Sequence, residues 1–121
     1  MAGSEVEILR SVLDRWRSAV DAHKPDRVAS VFIEDAVFQG LRPYTVGREG
    51  VAAYYAAQPL GLTAAYEVRE ARRLADDVVL GYLDVEFGFT DRPALTVHLG
   101  VVVRRVGDAW LIAHYQVSRL D

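Results

Sequence analysis

Apolar positions near the start of the chain recur three or four residues apart. Val6, Leu9, Leu13, Trp16 and Val20 form one stripe, widened by Ile8 and Val12. This is the spacing of an amphipathic helix. Ser4, followed three residues later by Glu7, supplies a capping box at its start. Pro25 breaks the pattern, and Asp26 can cap a second, short helix over "RVASVFIED". "AVFQG" then predicts a short strand, and "LRPYTVG" a loop punctuated by Pro43 and Gly47. "REGVAAYYAAQ" predicts a third helix with Val51, Tyr54, Tyr55 and Gln58 on one side.

From Thr63 the period changes to two. "AAYEVREARRL", "DVVLGYLDVEFGF", "ALTVHLGVVVRRV" and "WLIAHYQVSRL" predict four strands, the last three joined by turns at "TDRP" and "GDA". Helices first and a meander afterwards predict an α+β fold, with the helices on one face of an antiparallel sheet. One parity of the last three strands is apolar: Leu83, Val85 and Phe87, then Val97, Leu99 and Val101, then Leu111, Ala113, Tyr115 and Val117. That face is expected to meet the helices. The opposite parity carries Asp84, Glu86, His98, His114, Gln116 and Ser118, with Val102, Trp110 and Ile112 as an apolar patch beside them. Tight turns place Gln116 opposite His98, His114 opposite Gly100, and Glu86 near His98, to within about two residues.

A chain of 121 residues, 51% hydrophobic and 26% charged, is one globular domain, expected to run over 1–121. A net charge of −3, from 14 basic and 17 acidic residues, shows none of the basic excess of a nucleic-acid binder. The lack of cysteine excludes thiolate chemistry and disulfides and fits a cytoplasmic location. No apolar run reaches the roughly 18 residues of a membrane span, and "MAGSEVEILRSVLDRW" has no signal-peptide core.

The succession of "PD", "EDAVF", "VG" opening a helix with "YY", and a meander ending W-x-I-x-H-x-x-x-S resembles the nuclear transport factor 2-like superfamily, and within it the SnoaL-like (SgcJ/EcaC-type) proteins. The ending is also similar to that of the association domain of calcium/calmodulin-dependent protein kinase II. Trp110, His114 and Ser118 match, and Gln116 stands in place of a second histidine. The resemblance covers nearly the whole chain. It implies a cone-shaped curved sheet of cystatin-like type closed by three helices around a pocket, and a homodimer through the outer sheet face. Family members include isomerases, dehydratases, cyclases and non-catalytic assembly modules, so the fold alone selects no activity.

The proton-transfer residues of the steroid-isomerase branch fall here on Gln39 or Gly40, Trp16, and Leu99 or Gly100, none of which can take a substrate proton. The Asp–Arg–Asp arrangement of limonene epoxide hydrolase has no counterpart at inward positions. What remains is an apolar interior lined by Trp16, Phe38, Val51, Val85, Phe87 and Leu99, with Gln39, Tyr44, Tyr54, Tyr55 and Tyr115 as polar handles. Such a lining suits a hydrophobic, polyketide-like or aromatic molecule. Tyr54, Tyr55 or Tyr115 would donate to its carbonyl in a cofactor-free cyclisation, isomerisation or dehydration; alternatively these tyrosines only pack. No dinucleotide motif follows a strand, so no cofactor is expected. Asp84, Glu86, His98 and His114 fit either an acid–base or two-His-one-carboxylate metal site, or a polar network within a dimer interface shared with Val102, Trp110, Ile112, Gln116 and Ser118. Their place opposite the cone favours the interface, and no metal is expected.

Overall fold

The computed structural model describes residues 4–119. Its elements run α1 (Glu5–Asp21), α2 (Pro25–Ala29), β1 (Phe32–Gln39), β2 (Thr45–Val46), α3 (Arg48–Ala56), β3 (Thr63–Ala75), β4 (Val78–Gly88), β5 (Leu95–Val106) and β6 (Ala109–Ser118). Leu120, expected at the end of the last strand, lies outside the described residues. No helix among them is long and apolar enough to cross a membrane.

The capping box at the start of α1 forms as its sequence requires. The Glu7 amide donates to Ser4 Oγ at 3.1 Å, and the Ser4 amide to Glu7 Oε1 at 2.9 Å. Leu9, Val12, Leu13, Trp16, Ala19 and Val20 are buried. The helix approaches the sheet closely at Gly81, where a Cβ would stand 2.8 Å from a Leu9 methyl.

The second helix is shorter than its sequence pattern suggests. It ends at Ala29, and "FIED" belongs to β1. The four residues carry no period long enough to separate helix from strand. Tertiary pairing decides: β1 lies parallel to β6, with Phe32 against Ile112 and Phe38 against Tyr115. The sheet order is β2-β1-β6-β5-β4-β3. The curved, unclosed sheet is therefore mixed rather than wholly antiparallel, with β1–β6 as its parallel pair among the described strands. Inside "LRPYTVG", Thr45–Val46 forms a two-residue edge strand against Val37 and Phe38.

A bulge in β6 changes which residues face the core. Val102 pairs with His114 but Val103 pairs with Ile112, so Ala113 is the extra residue. Beyond it the parity flips. Ile112 is fully buried on the helix side, Trp110 follows it there, and Leu111 turns to the outer face with Arg104. The expected outer patch of Val102, Trp110 and Ile112 therefore does not exist as such. The ladders also settle two registers one pair away from the expected ones: Asp84 opposes His98, and Gln116 opposes Gly100.

Candidate functional site

The concave side of the sheet closes over an aromatic cluster. Phe38 stacks on Tyr115 with ring centres 4.6 Å apart, and Trp16 lies 6.0 Å from Tyr115 and 6.2 Å from Phe87. Each ring is set by its own element: Trp16 by the buried stripe of α1, Tyr55 by α3, Tyr115 by the inward parity of β6. Trp16, Val51, Val85 and Leu99 are fully buried, and Phe38 nearly so. These residues were expected to line a pocket. They instead fill it, and the small space beside Tyr55, Val28 and Leu62 is too small for a water molecule.

Three polar groups meet in this interior. Trp16 Nε1–H donates to the Tyr55 hydroxyl oxygen at 3.2 Å, and the Tyr55 and Tyr115 hydroxyls are hydrogen-bonded at 3.2 Å. Three donor hydrogens thus share two bonds, so one hydroxyl proton has no acceptor among these groups. Burial pushes both phenols well above their ordinary pKa. Neither hydroxyl can serve as a base near neutral pH; both are neutral hydrogen-bonding groups.

Two expected polar handles lie elsewhere. Gln39 follows inward Phe38 and so takes the outer parity, opposite Gln116. Tyr44 stands in the loop before β2 and is 64% exposed. Tyr54 occupies the border. Its ring meets Phe38 edge-on at 5.0 Å and Tyr55 at 5.1 Å. Its hydroxyl oxygen accepts from the Leu41 amide at 3.3 Å, and a Cβ at Gly40 would overlap that hydroxyl.

On the other side of Tyr54 is an open groove of about 540 Å³ at the end of the sheet. Leu41, Arg42, Phe89, Arg92 and Leu95 line it with Tyr54. A hollow of about 580 Å³ beside α1 is lined instead by Asp14, Arg17, Ser18 and Asp21, and one of about 510 Å³ at the far end by Glu34, Asp35, Arg48 and Arg104 among others. Those two are charged surface hollows. The groove at Tyr54 is lined by aromatic and aliphatic side chains together with Arg42 and Arg92. Its loop residues escaped the sequence reading because "LRPY" and "FTDRPAL" are far apart in the chain; only the fold joins them.

The outer face carries a different network. Asp84 Oδ1 lies 2.7 Å from His98 Nδ1, and both atoms are shielded from solvent with no other partner. A proton between them, carried on Nδ1, satisfies both. Arg69 holds the other carboxylate oxygen at 2.7 Å and lowers the Asp84 pKa, with burial opposing and His98 adding to the effect. Tyr82 stacks on His98 at 5.6 Å. Glu86 faces Thr96, and His98 faces Ser118, while His114 lies four residues along the ladder beside Val102, roughly 13 Å away. The expected cluster therefore divides into an Asp84–His98 pair and a separate His114. No group of three or more metal-ligating side chains occurs among the described residues.

Comparison with known proteins agrees with this architecture. A family model described as a SnoaL-like domain matches residues 4–116. A cystatin-like domain of unknown function from Nostoc punctiforme superposes with a TM-score of 0.84 at 16% identity, over 100% of this chain and 80% of that one. A Xanthomonas campestris structure named for a calcium/calmodulin-dependent protein kinase II association domain gives 0.82 at 18% identity, covering 98% and 90%. A ketosteroid isomerase-like protein from Erwinia carotovora gives 0.76 at 18% identity, covering 98% of each chain. No curated protein matches the sequence. With the family model spanning all but the ends of the chain, over an α+β fold of the nuclear transport factor 2-like type, the protein belongs to the SnoaL-like family.

Proposed function

We propose that this protein binds a hydrophobic, ring-bearing small molecule at the groove beside Tyr54, without a cofactor and as a ligand-binding module. The observation that carries this reading is the groove itself: about 540 Å³ in volume, floored by Tyr54, Phe89 and Leu95, where the interior offers no space. The Tyr54 hydroxyl accepts from Leu41, and its own proton has no acceptor among the described residues. It is free to donate to a ligand oxygen. None of the groove residues is a carboxylate or histidine, so the lining contains no ordinary general base for proton abstraction.

The unsatisfied hydroxyl proton in the interior favours a second reading. If Tyr54 and Phe38 swing aside, a carbonyl oxygen could reach Tyr55 and Tyr115 and take that proton as a hydrogen bond, which would suit an isomerase or cyclase. Titrating a panel of polycyclic aromatic ketones against Tyr54→Phe, Tyr55→Phe and Tyr115→Phe separates the two. The groove reading expects Tyr54→Phe alone to weaken binding, by about 0.5–1.5 kcal/mol. Weakening in all three variants, with turnover of a ketone, would support the interior reading. No binding by any compound would reject both.

We also propose that the outer sheet face joins two copies of this chain. The ladders align Val46, Val37, His114, Val102 and Leu80 in one row across five strands. Val37 and Val46 are 37% and 58% exposed, and Tyr82 in the next row is 43% exposed. A row that is apolar except for His114, with His98 and Gln116 on the same face, suits an isologous seam. The similarity to structures named for association domains supports self-association. Light scattering at micromolar concentration is expected to give the mass of a dimer, and Val102→Asp that of a monomer. A monomer in the unmodified protein refutes the seam.

A further inference from the structure

We infer that the ligand of the Tyr54 groove carries a carboxylate, bound by Arg42 with the Tyr54 hydroxyl beside it. This rests on the groove reading and adds the ligand's charge. The chain as a whole is acidic, at −3, yet both charged residues that line the groove are arginines, and no acid lines it.

The two arginines are not equivalent. Arg92 is held by the adjacent Asp91, with Nε to Oδ1 at 2.9 Å and Nη2 to Oδ2 at 3.2 Å, and its guanidinium lies 4.9 Å above the Phe89 ring. Its charge is balanced and its plane serves as wall. Arg42 has no ion-pair or hydrogen-bond partner among the described residues. It therefore brings an uncompensated, fork-shaped donor to an apolar groove.

Arg42 also follows directly on Leu41, whose amide fixes the Tyr54 hydroxyl oxygen and leaves that hydroxyl's proton free. Arg42 and Tyr54 both line the groove, which is thus offered one cationic and one neutral donor. A carboxylate has two acceptor oxygens for such a pair, while a ring system covers Phe89 and Leu95. A neutral ligand would use the apolar floor and leave the Arg42 charge unanswered.

The test compares naphthoic acid with naphthamide, two probes of the same ring system that differ in charge, by calorimetric titration at neutral pH. In the unmodified protein the acid is expected to bind on the order of fivefold more tightly than the amide, an exposed ion pair's contribution, and to lose that advantage in high salt. Arg42→Gln should remove the preference, so that the acid then binds no more tightly than the amide. Arg10→Gln, which removes the same charge from α1, should preserve the preference. Acid and amide binding alike to the unmodified protein, or a preference that survives Arg42→Gln, would overturn the carboxylate assignment and leave the groove standing. Failure of both probes to bind would overturn the groove reading itself, and this inference with it.

Discussion

Trp16→Ala is expected to lower the free energy of unfolding by about 3–5 kcal/mol, the range for removing a large aromatic from a close-packed core. Trp16 is fully buried and lies against Phe87 and Tyr115. Its neighbours come from different strands and cannot collapse together into the space. The substitution also removes the Nε1–H donor to Tyr55. Trp16→Phe isolates that part: it keeps most of the ring volume and should cost roughly 1–3 kcal/mol, the penalty for leaving a buried acceptor short of a partner. Urea unfolding followed by circular dichroism reads both. An alanine variant within about 1 kcal/mol of the parent would mean that the interior holds space the packing does not allow, and would reopen it as a ligand site.

Ile112→Ala and Leu111→Ala should differ in a way that strict strand alternation does not allow. Alternation counted back from Tyr115 puts Leu111 inside and Ile112 outside. The bulge at Ala113 reverses this, leaving Ile112 fully buried opposite Val103 and Leu111 only half-buried. Ile112→Ala is expected to cost about 2–5 kcal/mol and Leu111→Ala well under that, near the ±0.5 kcal/mol typical of surface sites to about 1 kcal/mol. Ile112→Asp should prevent folding, since the carboxylate would lie unpaired among apolar side chains, whereas Leu111→Asp should fold. Equal losses for the two alanine variants would contradict the bulge.

These positions also show what the sequence made legible. α1 was readable down to its capping box because a long helix repeats its period several times. The strands of the meander were readable because alternation persists over ten or more residues. The parity of β6 failed beyond Ala113 because a bulge leaves no mark in an apolar run such as "WLIA". β1 was cut short because its pairing partner is the last strand, and no local pattern announces a parallel neighbour so far away. Among the site residues, helical spacing points to Tyr54, while polarity alone places neither Gln39, which takes the outer parity of β1, nor Tyr44, which stands in a loop. Arg42, Phe89 and Leu95 sit on two loops or strand ends whose proximity is created by the fold.

The most direct test of the central claim is amide chemical-shift mapping by NMR during titration with acetonaphthone, a neutral bicyclic ketone. The groove reading predicts that the shifts concentrate at Leu41, Arg42, Tyr54, Phe89 and Leu95, with the Trp16 indole and the Tyr115 amide unmoved. Saturable shifts at Trp16 and Tyr115, with Leu41 and Phe89 unaffected, would place the ligand inside the cone and contradict the account.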